Sequence, residues 1–263
     1  MKYQIAGLAL AGALLAACAT PAPVAEAPAE TVAAHAYDYD AVFAQDDRPA
    51  KDYDMYPVRK ASDVLDFTGV APGMTVVEME AGDGFYTELL SRAVGADGKV
   101  FMQNPPSFAA FLGDSVSKRV DGRLGNVKVV QSSFDNLSEV PDEEADMVTW
   151  FLGPHELWYT PEDAQPFSFG DPDRTFPEIA RVMKPGATLV ILDHMAPAGS
   201  PATTGGDTHR IDKAIILDMA GKAGLTLVAE SDLLANPDDD HSLNVFDPAI
   251  RRKTDRFLLK FTK

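Results

Sequence analysis

The sequence predicts a single α/β domain built on a doubly wound, mostly parallel sheet. Two observations support this: short β-branched runs alternate with segments of helical spacing, and glycine and proline turn signals separate them. Such alternation implies right-handed crossovers and helices on both faces of the sheet. The last two predicted strands have no helical pattern between them, so we expect an antiparallel pair at one edge.

The elements follow one another in chain order. The first strand, 75–80, follows the turn Pro72-Gly73 and ends at Gly82-Asp83-Gly84, after which a helix continues to Gly95. Three further helices are predicted, at 107–120, around 176–183 with its end at Lys184-Pro185-Gly186, and at 212–223. The remaining predicted strands are Lys99–Asn104, Val127–Gln131, 145–152, 187–195, 225–231 and 256–261.

The N-terminal segment predicts export. Lys2 precedes an apolar run over 5–17, which is shorter than the roughly 20 residues of a membrane-spanning helix but fits a signal peptide. The run ends in Leu-Ala-Ala-Cys18, which resembles the lipobox of bacterial lipoproteins and implies a lipid on Cys18; Ala19 after it implies outer-membrane sorting. We therefore expect a signal peptide at 1–17, the lipidated Cys18 with an Ala/Pro-rich linker at 18–36, and a domain at 37–263. An ordinary secretory signal is the alternative.

Charge and cysteine content narrow the possible partners. The net charge of −17 argues against nucleic acid and against direct docking on an anionic membrane. Membrane attachment is therefore expected through the lipid alone, on a lipoprotein that faces the periplasm. Cys18 is the only cysteine, so the folded domain has no thiol for disulfides, metal ligation or catalysis.

The glycine-rich turn after the first strand predicts a ligand at the N-terminus of the following helix. A phosphate-binding P-loop would need Gly-Lys-Ser/Thr at the end of this turn, where Phe85-Tyr86 stands. A dinucleotide site would need a third Gly or Ala near Thr87 and an acid about 20 residues further on. Thr87 and Gln103-Asn104 supply neither.

A third reading rests on resemblance. Residues 76–84 resemble motif I of class I S-adenosylmethionine (SAM)-dependent methyltransferases, with a hydrophobic strand, an acid and alternate glycines. Residues 176–194 resemble the helix and fifth strand of the ubiquinone-biosynthesis type. The chain also resembles a family of bacterial methyltransferases with export signals, through 72–78, 82–88, 193–197 and 230–237. The resemblance covers 46–263 and implies a Rossmann-like, seven-stranded class I methyltransferase fold with SAM as cofactor.

The resemblance also assigns positions around the cofactor. It implies that Glu78 lies under the amino-acid end of SAM and that the glycine backbone borders the carboxypropyl chain. Gln103 or Asn104 stands where such enzymes usually place an acid on the ribose, and Ser133 stands where an Asp often contacts the adenine. An amide gives a weaker ribose contact than a carboxylate, and Glu80 replaces the first glycine of the usual triplet. The predicted cofactor-binding residues are Glu78, Glu80, Gly82, Asp83, Gly84, Tyr86, Gln103, Asn104, Ser133 and Phe134.

The loop after the fourth strand supplies candidates for chemistry. His155 titrates near neutral pH and is the predicted general base for methyl transfer. Aromatic residues nearby are candidates for a cation-accepting or aromatic substrate pocket, or for packing in the core or a lid. The predicted substrate pocket comprises Trp150, Trp158, Asp193 and His194, with Phe151 and Tyr86 as further aromatic candidates.

Three other groups have weaker signals. Asp193-His194 with His209 matches no compact ligand spacing, so no metal site is predicted. The acidic run 237–241 is expected to be a solvated loop. The segment 46–59 resembles a lid, and its Arg48 or Arg59 would reach the ligand crevice at the carboxyl ends of the strands. Surface ion pairs are the favoured role of these arginines.

The sequence therefore predicts an envelope-anchored SAM-dependent methyltransferase that acts on an unidentified small or envelope-associated molecule. The alternative is a non-catalytic envelope lipoprotein that uses the same scaffold to bind a metabolite or partner. The predicted cofactor and the predicted export signal imply different compartments, because SAM is made in the cytoplasm while the lipobox directs the domain out of it. The methyl acceptor and the oligomeric state stay open.

Overall fold

The computed structural model describes residues 38–44 and 47–263. The predicted signal peptide at 1–17, Cys18 and the linker at 18–36 lie outside this range. Within the described residues, none of the helices has both the length and the apolar character needed to cross a membrane.

Seven strands form one sheet in the order β3-β2-β1-β4-β5-β7-β6. All neighbours pair in parallel except β7, which is antiparallel to both β5 and β6. The predicted fold class is confirmed, and β7 lies inside the sheet so that β6 forms the edge. The strands are β1 (Thr75–Met79), β2 (Lys99–Asn104), β3 (Val127–Gln131), β4 (Ala145–Phe151), β5 (Met183–His194), β6 (Thr226–Ser231) and β7 (Arg256–Thr262).

Helices cover both faces of this sheet. In the described residues they are α1 (Tyr39–Phe43), α2 (Ala50–Arg59), α3 (Ala61–Thr68), α4 (Phe85–Val94), α5 (Ala109–Leu112), α6 (Ser115–Val120), α7 (Pro172–Val182), α8 (Thr204–Thr208) and α9 (Lys213–Lys222). Two short 3-10 helices, Pro106–Phe108 and Pro154–Trp158, follow β2 and β4.

The two faces of the sheet bury separate apolar cores, as the alternation of side chains along strands requires. On β5, Ile191 packs in the core beneath α7 and α9, while Leu192 packs in the core beneath α3 and α4. The same alternation places Asp193 and His194, at the end of β5, on opposite faces.

Two predicted boundaries are wrong. The helix predicted at 107–120 is interrupted at Gly113, whose φ of 55° and ψ of −124° separate α5 from α6. The helix predicted to end at Lys184-Pro185-Gly186 ends at Val182, and these residues belong to β5. Pro185 has no N–H to donate, and the pairing of β5 with β4 shifts register between Met183 and Thr188.

A buried set of ion pairs fixes α2 to α4 and α6. We call Arg48, Asp52, Glu88, Arg119 and Arg123 the arginine cluster. Arg119 reaches Asp52 at 2.6 Å and Glu88 at 2.9 Å, and Arg48 reaches Asp52 at 2.7 Å. Arg123 adds a contact of 2.7 Å to Glu88. The favoured role of Arg48 as a surface ion pair is therefore wrong, because its pair is buried.

Candidate functional site

The turn between β1 and α4 has the backbone of a ligand-binding loop. Gly82 and Gly84 have φ angles of 60° and 85°, in the left-handed region that glycine adopts without strain. A Cβ on Gly82 would meet open space, whereas one on Gly84 would contact Arg119 and Met102. The turn is therefore accessible to a ligand at Gly82, close to the N-terminus of α4.

Two buried amides at the end of β2 hold this turn in place. Asn104 accepts a hydrogen bond from the N–H of Gly82 at 2.8 Å and donates to its carbonyl at 3.0 Å. Gln103 accepts from the N–H of Glu80 at 2.9 Å and donates to the carbonyl of Ser132 at 2.6 Å. The two residues predicted to contact the ribose thus shape the loop directly in this structure.

Glu78 and Asp83 differ in environment although both belong to the predicted cofactor set. Glu78 is buried and accepts a hydrogen bond from Thr87, and burial raises its pKa to about 8. It is therefore mostly protonated at neutral pH. Asp83 is partly exposed and pairs with Lys51 of α2.

The side chain of Glu80 reaches from the end of β1 to Trp150 on β4. Its backbone has a φ of 51°, and its carboxylate accepts a hydrogen bond from the indole N–H of Trp150 at 3.1 Å. Burial, and then the carboxylate of Glu156, raise the pKa of Glu80 well above its ordinary value. Trp150 is fully buried, so its role is core packing and support of Glu80 rather than an open pocket wall.

A cavity of about 690 Å³ opens beside the ends of β2 and β3. Ser133 lines it, and its hydroxyl donates to Asp135 at 2.6 Å. Ser132 also lines it, and its buried hydroxyl oxygen has no hydrogen-bond partner among the described residues. Phe134 does not face this cavity, because its ring is fully buried and packs against Trp150 at 4.9 Å between centroids.

A second cavity, of about 380 Å³, lies between α2 and the ends of β4, β5 and β7. Arg59 and Arg256 line it, and no carboxylate of the described residues forms an ion pair with either. Arg59 instead lies over the ring of Phe85 at 4.4 Å. Tyr86 is buried beneath these arginines, and its hydroxyl has no hydrogen-bond partner within 38–44 and 47–263. Burial raises the pKa of Tyr86 to about 12.

The loop after β4 brings together what we call the histidine cluster, His155, Glu156, Asp193 and His209. The Nδ1 atom of His155 lies 2.7 Å from Asp193, and its backbone N–H donates to the same carboxylate at 2.8 Å. The Nε2 atom of His155 lies 3.4 Å from Glu156 and 3.3 Å from Nδ1 of His209. His209 lies 3.1 Å from Glu156.

Electrostatics in this cluster favour protonated His155. Burial opposes the charge, but the carboxylates of Asp193 and Glu156 outweigh it and raise the pKa of His155 to about 10. Burial likewise opposes ionisation of Glu156, and hydrogen bonds from His155 and His209 lower its pKa to about 2. At neutral pH His155 is thus a proton donor, which argues against the general-base role predicted for it.

The predicted substrate residues separate into two groups. Asp193 is fully buried in the histidine cluster, while His194 lines the cavity with Arg59 and Arg256 and contacts Thr254 at 2.7 Å. Burial lowers the pKa of His194 well below its ordinary value. Trp158 is half-buried and packs against the core beneath α7 and α9.

Sequence reasoning missed Glu156 and Arg256. Glu156 is adjacent to His155, so a carboxylate beside a candidate histidine was an available signal. Arg256 opens β7, and nothing in its local sequence links it to Arg59, nearly two hundred residues away.

Comparisons with known proteins agree with this geometry. The sequence matches no protein-family model. Over 145 residues it is 28% identical to the ubiquinone/menaquinone biosynthesis C-methyltransferase UbiE of Escherichia coli and of Shigella boydii, covering 55% of this chain and 52% of each relative. The chain thus spans about half the length of the curated relatives it matches.

Solved structures share the fold at low sequence identity. A SAM-dependent methyltransferase from Aquifex aeolicus matches with a TM-score of 0.56 and 20% identity, over 86% of this chain and 98% of that one. Geranyl diphosphate C-methyltransferase from Streptomyces coelicolor gives 0.55 and 15%, over 78% and 79%. The [4+2]-cyclase SpnF also gives 0.55, at 17% identity over 84% and 85%, so the fold alone does not fix the reaction. This chain has the class I SAM-dependent methyltransferase-like fold and is similar in sequence to the C-methyltransferase UbiE over about half of its length.

Proposed function

We propose that this protein is a SAM-dependent methyltransferase that binds SAM at the turn between β1 and α4. The open left-handed backbone at Gly82 is the observation that carries the proposal. It lies beside the point where the strand order reverses between β1 and β4, which is where sheets of this kind bind ligands. The sequence similarity to a C-methyltransferase supports the same reaction class.

The residues present fit this cofactor. The N-terminus of α4, beside the open space at Gly82, would hold its carboxylate, because helix N-termini favour anions. Ser132 and Ser133 would hold the adenosine in the cavity beside β2 and β3, where the Ser132 hydroxyl lacks a partner among the residues that the structure describes. Bound SAM supplies an electrophilic methyl group on a sulfonium. Glu80, whose raised pKa favours the neutral acid, would offer that group a polar neighbour rather than a countercharge.

Calorimetric titration with SAM and S-adenosylhomocysteine tests the proposal. Gly82→Arg should abolish binding, because its side chain would enter the open space over the loop. Gly122→Arg is a matched control, since Gly122 also has a positive φ, of 70°, and open space around its Cβ position. Both variants carry similar backbone strain, of about 1–2 kcal/mol.

Two outcomes of that titration would overturn the proposal. Absence of binding by the unmodified protein at millimolar SAM would favour a non-catalytic scaffold. Equal binding by Gly82→Arg and Gly122→Arg would place the cofactor elsewhere.

The methyl acceptor carries an anionic group in this proposal. Arg59 and Arg256 line the cavity of about 380 Å³ and pair with no carboxylate of the described residues. The Tyr86 hydroxyl beneath them also has no hydrogen-bond partner in that part of the chain. Arginines recognise carboxylates and phosphates through paired hydrogen bonds. Phe85 adds an aromatic wall to the same cavity.

Benzoate and inorganic phosphate are suitable probes for this cavity. Arg256→Gln should weaken their binding at least tenfold, whereas Arg174→Gln, which changes an exposed arginine paired with Asp135, should leave it unchanged. Unchanged binding in Arg256→Gln would refute the anionic acceptor site.

We further propose that the domain is exported and tethered by lipid on Cys18, as the lipobox-like segment indicates. Mass spectrometry of protein from the membrane fraction should find acylated Cys18 at the mature N-terminus. Cys18→Ser should release the protein from membranes; an unmodified Cys18 in membrane-bound protein would contradict lipidation.

A further inference from the structure

Three side-chain atoms of the histidine cluster converge on one point. Nε2 of His155, Nδ1 of His209 and Oε1 of Glu156 are separated by 3.3, 3.1 and 3.4 Å. Ligands on a tetrahedral zinc ion, with bonds of about 2.0 Å, are separated by about 3.3 Å. The three atoms therefore already have the spacing of three corners of a tetrahedral coordination shell.

The orientation of His155 is fixed by a carboxylate behind it. Asp193 contacts Nδ1 of His155 at 2.7 Å, which leaves Nε2 directed at His209 and Glu156. Asp193 is itself held by the backbone N–H groups of His155 and His194, each at 2.8 Å. Metal-binding histidines are commonly oriented in this way, with the second ring nitrogen bonded to a carboxylate.

The charge of the surroundings also favours a bound cation. The carboxyl groups of Glu156 and Asp193 lie 3.4 and 2.7 Å from the two ring nitrogens of His155. A divalent ion at the convergence point would be attracted by both carboxylates.

The position of His209 points the same way. It has a φ of 54°, in the left-handed region that few non-glycine residues adopt. The rings of Tyr159 and Phe246, with centroids 5.0 and 4.9 Å away, hold it against Glu156. The side chains of His209 and Glu156 remain 12% and 14% exposed, so an ion can reach the cluster from solvent.

We propose that His155, Glu156 and His209 bind a divalent transition-metal ion of the zinc type. Two imidazoles and one carboxylate suit such ions, whereas calcium and magnesium prefer oxygen ligands throughout. Among the residues that the structure describes, no fourth His, Cys, Asp or Glu joins the group. Three protein ligands with a fourth position left for water or a substrate oxygen are characteristic of zinc sites that act in catalysis.

Metal binding by the purified full-length protein tests this inference without any dependence on SAM. After removal of metal by a chelator, titration with Zn²⁺ in competition with a chromogenic chelator should show one tight site per chain. Co²⁺ in place of Zn²⁺ should give the intense visible absorption of a tetrahedral complex.

His209→Asn is the informative variant, and His241→Asn is its matched control. Asparagine tolerates the left-handed backbone at both positions. His241 also has a positive φ, of 64°, and pairs with a carboxylate, Asp255 at 2.8 Å, but lies outside the cluster. His209→Asn should lower Zn²⁺ affinity at least a hundredfold, while His241→Asn should bind as the unmodified protein does.

Asp193→Asn adds a readout for the orienting carboxylate. It should weaken Zn²⁺ binding by about 10–100-fold, because the tautomer and direction of the His155 ring are then less well fixed. Thermal melting of each metal-free variant separates loss of ligands from loss of folding. Equal Zn²⁺ affinity in His209→Asn and His241→Asn, or a weak octahedral Co²⁺ spectrum, would overturn the site.

Discussion

Two buried charged clusters in this molecule are built from different cations, and they behave differently as a result. In the arginine cluster, Glu88 and Asp52 are held by guanidinium groups, which stay charged at any physiological pH. In the histidine cluster, Asp193 and Glu156 are held by imidazoles, which exchange protons and bind metals.

This difference separates scaffold from site. The arginine cluster joins α2, α4 and α6 through ion pairs. The histidine cluster lies at the carboxyl ends of the strands. A metal ion can replace the proton on its imidazoles. The comparison yields three tests, which we order by the size of the expected effect.

Glu88→Gln should produce the largest loss of stability. It leaves Arg119 and Arg123 without their shared carboxylate, and removing one partner of a buried ion pair costs about 3–5 kcal/mol. Urea denaturation at neutral pH measures the change in the free energy of unfolding. A loss below about 1 kcal/mol would mean that the cluster behaves as a surface network.

His155→Gln should produce an intermediate effect that depends on pH. The pKa of His155 is raised from its ordinary 6.5 to about 10, so its stabilising contribution is complete below pH 6.5 and is lost as pH rises through 10. In metal-free protein, the free energy of unfolding should fall more steeply across this window in the unmodified protein than in the variant.

Glu88→Gln is the control for that pH profile. The pKa of Glu88 is lowered to about 2 because hydrogen bonds from Arg123, Arg119 and Arg92 outweigh its burial. Its contribution is therefore present above about pH 4.5 and is lost as pH falls towards 2. Parallel alkaline slopes for the unmodified protein and His155→Gln would contradict the difference between the two clusters.

Glu139→Gln should produce the smallest effect. Glu139 pairs with Lys128 at 3.1 Å, but both side chains are about half exposed. An exposed pair of this kind contributes about 0–1 kcal/mol and is screened by salt. The same urea denaturation, repeated at high ionic strength, should show little difference from the unmodified protein.

Local pattern was enough to predict most of the sheet. The bounds of β2 and β3 were predicted correctly, and α9 begins after Asp212, whose carboxylate caps it by accepting the N–H of Ala214 at 2.9 Å. These features depend on neighbouring residues, so the sequence shows them directly. The predicted start of β5 was too late, because Pro185-Gly186 is typical of a turn. In the structure β5 begins at Met183 and pairs with β4 and β7.

The site was predictable only in part, because its contacts are long-range. Because parallel strands bring their carboxyl ends together, Glu80, Trp150, His155 and Asp193 lie close to one another. The identity of each partner could not be predicted in this way. His209 joins Glu156 across 53 positions, and Asp52 of α2 contacts Arg119 of α6 across 67.

The end of β5 sets the spacing between the two candidate binding regions. Asp193 faces the histidine cluster, and the next residue, His194, faces the cavity with Arg59 and Arg256. Because neighbouring side chains on a strand point to opposite faces, inserting or deleting one residue in β5 would exchange the two. We therefore expect the length of this strand to resist change during evolution, even where the surrounding loops vary.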